Sequence, residues 1–154
     1  MTTAQAWALV ENRLLSSGGQ FLALPPLPGL PGLMFDDNSD PNATQISSTT
    51  GGMRLFRREG SEIPISSPNG TLTHLVFTVE LNLPGGTGNA LIHEYPREIK
   101  RLFRPGQSFT SPDLGSSGLL TCSRTAVDYL GAPTDGRDLY RVNVVLVFDN
   151  YDYS

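Results

Sequence analysis

Apolar positions recur along the chain in two periods, one helical and one alternating, separated by a stretch that has neither. Trp7, Val10, Leu14 and Leu15 fall at helical spacing within the first 17 residues. Thr2 and Gln5 have capping-box spacing, a hydroxyl and an amide placed to satisfy orphan N–H groups at a helix start, and Gly18-Gly19 supplies the stop. The pattern predicts a helix that lays one apolar stripe on the core, or shares part of it with a second subunit. From Gln20 to Gly52 the periodicity collapses. LALPPLPGLPGL sets Leu24, Leu27, Leu30 and Leu33 every three residues among four prolines. Proline's fixed φ and missing N–H favour an extended, polyproline-like course there. DDNSDPNATQISSTTGG follows, built from turn formers and small polar residues. Structureless loops this long are uncommon in compact domains and usually functional or disordered. The expectation is a long Pro/Gly-rich loop, residues 20–52, that is either partly mobile and orders against a neighbouring subunit or is a floppy insertion with no role.

Alternation begins after Gly52. MRLFRR, from Met53 to Arg58, reads as a short strand, and Asn69-Gly70 is a strong turn signal. Leu75, Phe77, Val79, Leu81 and Leu83 then share one face, with His74, Thr78, Glu80 and Asn82 on the other, the mark of a half-buried strand. Beyond the Pro84 to Asn89 turn, Ile92, Tyr95, Ile99, Leu102 and Phe103 form a helical stripe, with Arg97, Glu98, Lys100 and Arg101 off it. Pro96 leaves two courses open: a helix starting near Tyr95 with the proline in its first turn, or a longer helix interrupted there. Leu119 to Leu130 reads as a strand of weak alternation, and Gly131 to Asp138 as a connection. Leu139 to Asp149 is the clearest strand, with Val142, Val144, Leu146 and Phe148 on one face. Val145 and Val147 on its other face predict cover from both sides. The sum is one α+β domain over residues 1–154, with a mostly antiparallel sheet of about four strands and two main helices packed on it.

Composition narrows the function classes. The chain has 154 residues, 38% hydrophobic and 17% charged, with 16 glycines and 12 prolines, enough for one core and much loop. No apolar run approaches the ~18 residues of a membrane span. Glu11 and Arg13 interrupt the apolar start, which has no basic n-region, so a signal peptide is not expected. A single cysteine excludes a disulfide framework. Cys122, on a predicted strand, reads as a small core residue, and His74 and His93 lack metal-ligand spacing. Gly85-Gly86-Thr87-Gly88 lacks the lysine of a phosphate loop and reads as a strand-to-helix turn. Asp36, Asp37 and Asp40 lack the glycine and distal glutamate of a calcium loop and read as solvated carboxylates. No nucleophile, base and orienter can be assembled, so neither an enzyme nor a cofactor is expected.

Charge is more informative. Net charge is −4, which argues against a generic nucleic-acid binder, yet seven of the eleven basic residues lie between residues 54 and 104. The first 53 residues carry only Arg13 against Glu11, Asp36, Asp37 and Asp40. Two readings stand: a solvated helix face with a charge-guarded edge strand, or a basic patch that meets an acidic partner or DNA phosphate.

From Thr71 to Phe148 the order of motifs resembles the tail terminator-like proteins of long-tailed bacteriophages. The resemblance rests on the alternating strand HLVFTVELNLP closing in PGGTGNA, the helix ending IKRLFRPGQSF, the strand LLTCSRTAV, and a loop ending TDGRDLYRVNVVLVF. It implies a small α+β structural virion protein, neither an enzyme nor cofactor-dependent. Such a subunit joins a ring, typically hexameric, at the head-proximal end of the tail, stops tube polymerisation and offers the head-joining surface. The implied partners are other copies of itself, the tail tube protein and a head–tail connector or head-completion protein, with DNA near in the ring lumen and no membrane. Its expected location is the virion tail, and the host cytoplasm during assembly. Another neck or connector subunit, or an adaptor presenting LPPLPGLPGL as a polyproline ligand, are the alternatives. Charge polarity and loop length place the subunit or tail-tube contacts at Arg54, Phe56, Arg57 and Arg58, the loop before them, and Arg97, Lys100, Arg101 and Arg104.

Overall fold

The computed structural model describes residues 1–16, 34–35, 52–65, 69–84, 89–110, 118–131 and 139–153. Helix α1 (Thr3–Ser16) opens with the capping box formed in both directions. The Thr2 N–H donates to Gln5 Oε1 at 2.9 Å and the Gln5 N–H to Thr2 Oγ1 at 3.2 Å. Its buried line is Ala6, Val10 and Leu14, one turn apart, while Trp7 packs only partly against the core. Helix α2 (Asn89–Leu102) carries Pro96 inside it, so the longer of the two courses is the one taken. Tyr95, Ile99, Leu102 and Phe103 are buried, as their spacing requires. The proline leaves the Ile92 carbonyl without its helical N–H partner, and burial of the flanking stripe outweighs that loss.

The strands are β1 (Met34–Phe35), β2 (Gly52–Pro64), β3 (Thr71–Pro84), β4 (Ser108–Phe109), β5 (Gly118–Gly131) and β6 (Leu139–Asp152). They form one sheet in the order β1-β2-β3-β6-β5-β4. Five strands run antiparallel, and the two-residue β1 pairs parallel with β2 on the outer edge. The sheet thus exceeds the expected four strands by two short pieces, each too brief to show a period. Of the predicted loop 20–52, only β1 and Gly52 are described, and the remainder lies outside the described residues. The β2–β3 hairpin closes through Asn69 in the left-handed region at φ 59°, with the Ile65 N–H donating to the Gly70 carbonyl at 3.1 Å.

The weak alternation of β5 has a geometric cause. Its pairing with β6 shifts register between Cys122 and Arg124 and again between Tyr129 and Gly131. Each irregularity adds a residue and moves later side chains to the other face. Both helices pack on one face of the sheet, over Leu75, Phe77, Val79, Leu81 and Leu83 of β3 and Val142, Val144, Leu146 and Phe148 of β6. Burying each such side chain contributes roughly 1.5–3 kcal/mol. Phe148 lies edge-on to Phe77 and to Phe103, both at 5.6 Å between ring centroids, which ties the end of α2 to the sheet centre. Arg13 of α1 donates from Nε to the Leu102 carbonyl at 2.8 Å and stacks over Phe109, capping the C-terminus of α2.

Met1 is buried in the core beside β6. Its ammonium donates to the Tyr151 carbonyl at 2.7 Å, and Asn150 Nδ2 donates to the Met1 carbonyl at 2.7 Å. Gly118 faces this contact with no room for a side chain: a Cβ there would fall on the Met1 backbone and 2.7 Å from the Tyr151 oxygen. Gly118→Ala should therefore lower stability by about 1–3 kcal/mol, read as a lower urea midpoint at unchanged m-value.

Candidate subunit interface

Pairing registers decide which face each β2 side chain occupies. Leu55 lies opposite Val79, so Leu55 and Arg57 point toward the helices. Arg54, Phe56 and Arg58 point away from them. Arg57 is held within the chain: its Nη1 is 3.0 Å from Glu11 Oε1 on α1, and its guanidinium lies 4.9 Å from the Trp7 ring centre. Arg97, Lys100 and Arg101 occupy the exposed side of α2, and Arg104 is exposed just beyond it. The basic residues singled out in the sequence are therefore split into two groups. One belongs to β2, and the other lies above β5 and β6, with β3 and β6 between β2 and β5 in the sheet.

On the face turned away from the helices, the registers line up three rows across four strands. Arg54, Glu80, Asn143 and Asp128 form a polar row. Phe56, Thr78, Val145 and Ala126 form a mostly apolar one. In the third, Arg58 and Arg124 flank Val76 and Val147. No described element packs on this face. Glu80 is buried in the polar row, accepts a hydrogen bond from Asn82 Nδ2 at 2.9 Å, and has Arg141 Nε at 3.9 Å. Neither Arg124 nor Ala126 stood out in the sequence, because the β5 register shift hides which face they share.

On α2, Arg97 and Arg101 pair one turn back with Glu94 and Glu98, each at 3.3 Å. Glu98, off the apolar stripe in the sequence, is nonetheless buried, with Arg101 as its counter-charge. His93 Nδ1 meets the Tyr129 hydroxyl at 2.9 Å, and His74 Nδ1 meets Asp149 Oδ1 at 2.7 Å. Among the described residues there is no group of three or more His, Cys, Asp or Glu able to hold a metal ion. Cys122 is fully buried between β5 and the end of α2, its Sγ donating weakly to the Phe103 carbonyl at 3.6 Å. Desolvation pushes its thiol from the ordinary 9.0 up to about 11, with a backbone hydrogen bond at Arg124 pulling weakly the other way. Asp36, Asp37, Asp40 and the Gly85 to Gly88 turn lie outside the described residues.

No family model and no curated protein matches this sequence. One solved structure aligns over 97% of this chain and 96% of its own, with a TM-score of 0.62 at 19% sequence identity, a likeness of fold alone.

Two outcomes follow from these placements. Arg57→Ala loses both the Glu11 pair and the Trp7 contact and should cost about 1–2 kcal/mol, whereas Arg58→Ala should leave the urea midpoint near that of the parent chain. Because the folded state raises the Cys122 pKa, the neutral thiol's contribution to stability is whole below pH 9 and fades as pH rises toward 11. A thiol reagent at pH 8 should accordingly leave the native protein unmodified and label it promptly in denaturant.

Proposed function

We propose that this chain is a structural virion protein, a tail terminator or tail-completion subunit that forms a ring at the head-proximal end of a phage tail. In that role it stops tube polymerisation and provides the head-joining surface. It acts by contact rather than catalysis and uses no cofactor. Its partners are other copies of itself in a homohexameric ring, the tail tube protein below, and a connector or head-completion protein above, with DNA passing the lumen. It resides in the virion tail after assembly in the host cytoplasm. No described helix is long and apolar enough to cross a membrane.

The observation that carries this reading is the two-sided character of β6. Val142, Val144, Leu146 and Phe148 are covered by the helices, while Val145 and Val147 lie on a face that no described element covers. A strand apolar on both faces supports an assembly in which a second molecule covers the face left open among the described residues. Closed rings use heterologous surfaces, one side of a subunit meeting the opposite side of the next. The separation of the β2 and α2 basic groups onto different sides suits that geometry better than a single nucleic-acid patch. The motif order behind the family resemblance corresponds to β3, α2, β5 and β6 in sequence. A neck or connector subunit would share these features. The polyproline adaptor alternative rests on Leu24 to Leu33, outside the described residues.

Phage lacking the protein separates the versions. A terminator's loss yields tails of uncontrolled length, whereas a neck subunit's loss leaves tails of normal length without heads. Multi-subunit rings in negative stain, weakened by Arg58→Glu, are the expected result for the purified protein. Normal virions from the deletion strain, together with a strictly monomeric protein, would sink the proposal.

A further inference from the structure

The two short outer strands leave most of each sheet edge uncovered. On β2, β1 pairs only with Arg54 and Leu55, and from Phe56 onward no described strand lies outside it. On β5, β4 pairs with Leu120 and Thr121, and the Gly106–Gln107 turn bonds Cys122 at 2.7 and 2.8 Å. From Ser123 onward the outer side of β5 has no described strand beside it. Alternate residues of an antiparallel strand aim both backbone groups to the same side, so each edge presents N–H and C=O groups that a further strand could pair. Bulges and proline blunt an edge, and β2 has its register irregularity and Pro64 beyond Glu59, which confines regular pairing to Phe56 through Glu59. β5 offers a regular run from Arg124 to Tyr129, between its two irregularities. Both strands also expose apolar side chains. Of the four large apolar residues that are exposed among the described ones, Ile63 lies on β2, and Tyr129 and Leu130 lie on β5.

We propose that β2 of one copy of this chain pairs antiparallel with the outer side of β5 of the next, continuing the sheet across the subunit boundary. Strand direction permits it. β2, β3, β6 and β5 alternate in direction, so β5 runs opposite to β2. A second copy set beside the first, with its helices on the same side, therefore brings β2 antiparallel to β5. The contact joins one edge to the opposite edge, so it is heterologous and can repeat around a ring. Charge selects the register. Arg58 and Asp128 are both exposed, and neither has an ion pair among the described residues. Through their partners Val76 and Asn143, both belong to the sheet face turned away from the helices. Setting them directly opposite makes a cross-strand ion pair and brings Arg57 opposite Tyr129 and Phe56 opposite Leu130. A slip of one residue would turn the matched side chains to opposite faces, and a slip of two would set Arg58 against Ala126 or Leu130. A second copy is the fitting occupant because both halves of the match are carried by this chain. This inference rests on the ring-subunit reading and names one of its contacts.

The test mixes full-length Arg58→Cys chains with full-length Asp128→Cys chains under mild oxidation and reads the products by mass spectrometry. Residues directly opposite in an antiparallel pair have Cα atoms about 4.5–5.5 Å apart, within disulfide reach, and the native Cys122 is buried. The expected product is a disulfide between unlike chains, with little between two chains that carry the same substitution. In parallel, Arg58→Asp should weaken self-association about tenfold by sedimentation, and adding Asp128→Arg to the same chain should restore it. Thermal unfolding of both variants should match the parent, since the two side chains are exposed. If the parent chain self-associates while unlike chains give no disulfide, or like chains cross-link as readily as unlike ones, the edge pairing is refuted and the ring reading survives. An Arg58→Asp chain that associates as well as the parent overturns the register. If the parent chain never self-associates, both the pairing and the ring fail.

Discussion

β3 and β6 pair antiparallel along their whole length, from Thr71 opposite Asp152 to Pro84 opposite Leu139, with no irregularity to change the phase. That unbroken register places Leu75, Phe77, Val79 and Leu81 beside Phe148, Leu146, Val144 and Val142, so the middle of one face of the two central strands is apolar. A slip of one residue would turn every one of these side chains to the other face. Everything else is attached to this pair. β2 and β5 extend it on either side, and α1 and α2 roof it, with Phe148 joining Phe77 and Phe103 in edge-on contacts at the centre.

Because the roof covers one face, the two faces of the sheet have different tasks. The roofed face is packed by local devices: the Thr2–Gln5 capping box, the Arg13 cap on Leu102, and the Arg57–Glu11 pair across α1 and β2. The other face carries valines at its centre and arginines at its margins, through Arg58 and Arg124. On α2, Arg97 and Arg101 are paired within the helix, with Glu94 and Glu98.

The candidate site was only partly legible. The basic residues of α2 are exposed because their helical spacing sets them off the Tyr95–Ile99–Leu102 stripe, and spacing alone sufficed for that. Arg57 was different. Its place in MRLFRR is indistinguishable from that of Arg58, yet it is held by Glu11 and Trp7, partners 46 and 50 positions away in the chain. The His93–Tyr129 bond likewise joins residues 36 apart and has no local signature. Arg124 and Ala126 were hidden because the irregularity after Cys122 breaks the period by which faces are counted. Glu98 went unread as a buried acid because its burial depends on a counter-charge at Arg101.

The sequence by itself determined the number of main elements, their kinds and the side that α1, α2, β3 and β6 bury. Those properties follow from periods of 3.6 and 2.0 residues, and such periods are written locally. The cysteine's burial was legible for the same reason, as a small residue within a strand pattern. Only the tertiary structure decided that α2 runs through Pro96, that Met1 packs into the core beside β6, and that β1 and β4 extend the sheet by two residues each. It also decided that the basic residues form two groups rather than one. Each of these depends on pairing or packing between residues distant in sequence, and the balance of burial against a lost hydrogen bond or an unpaired charge is struck only once those residues meet.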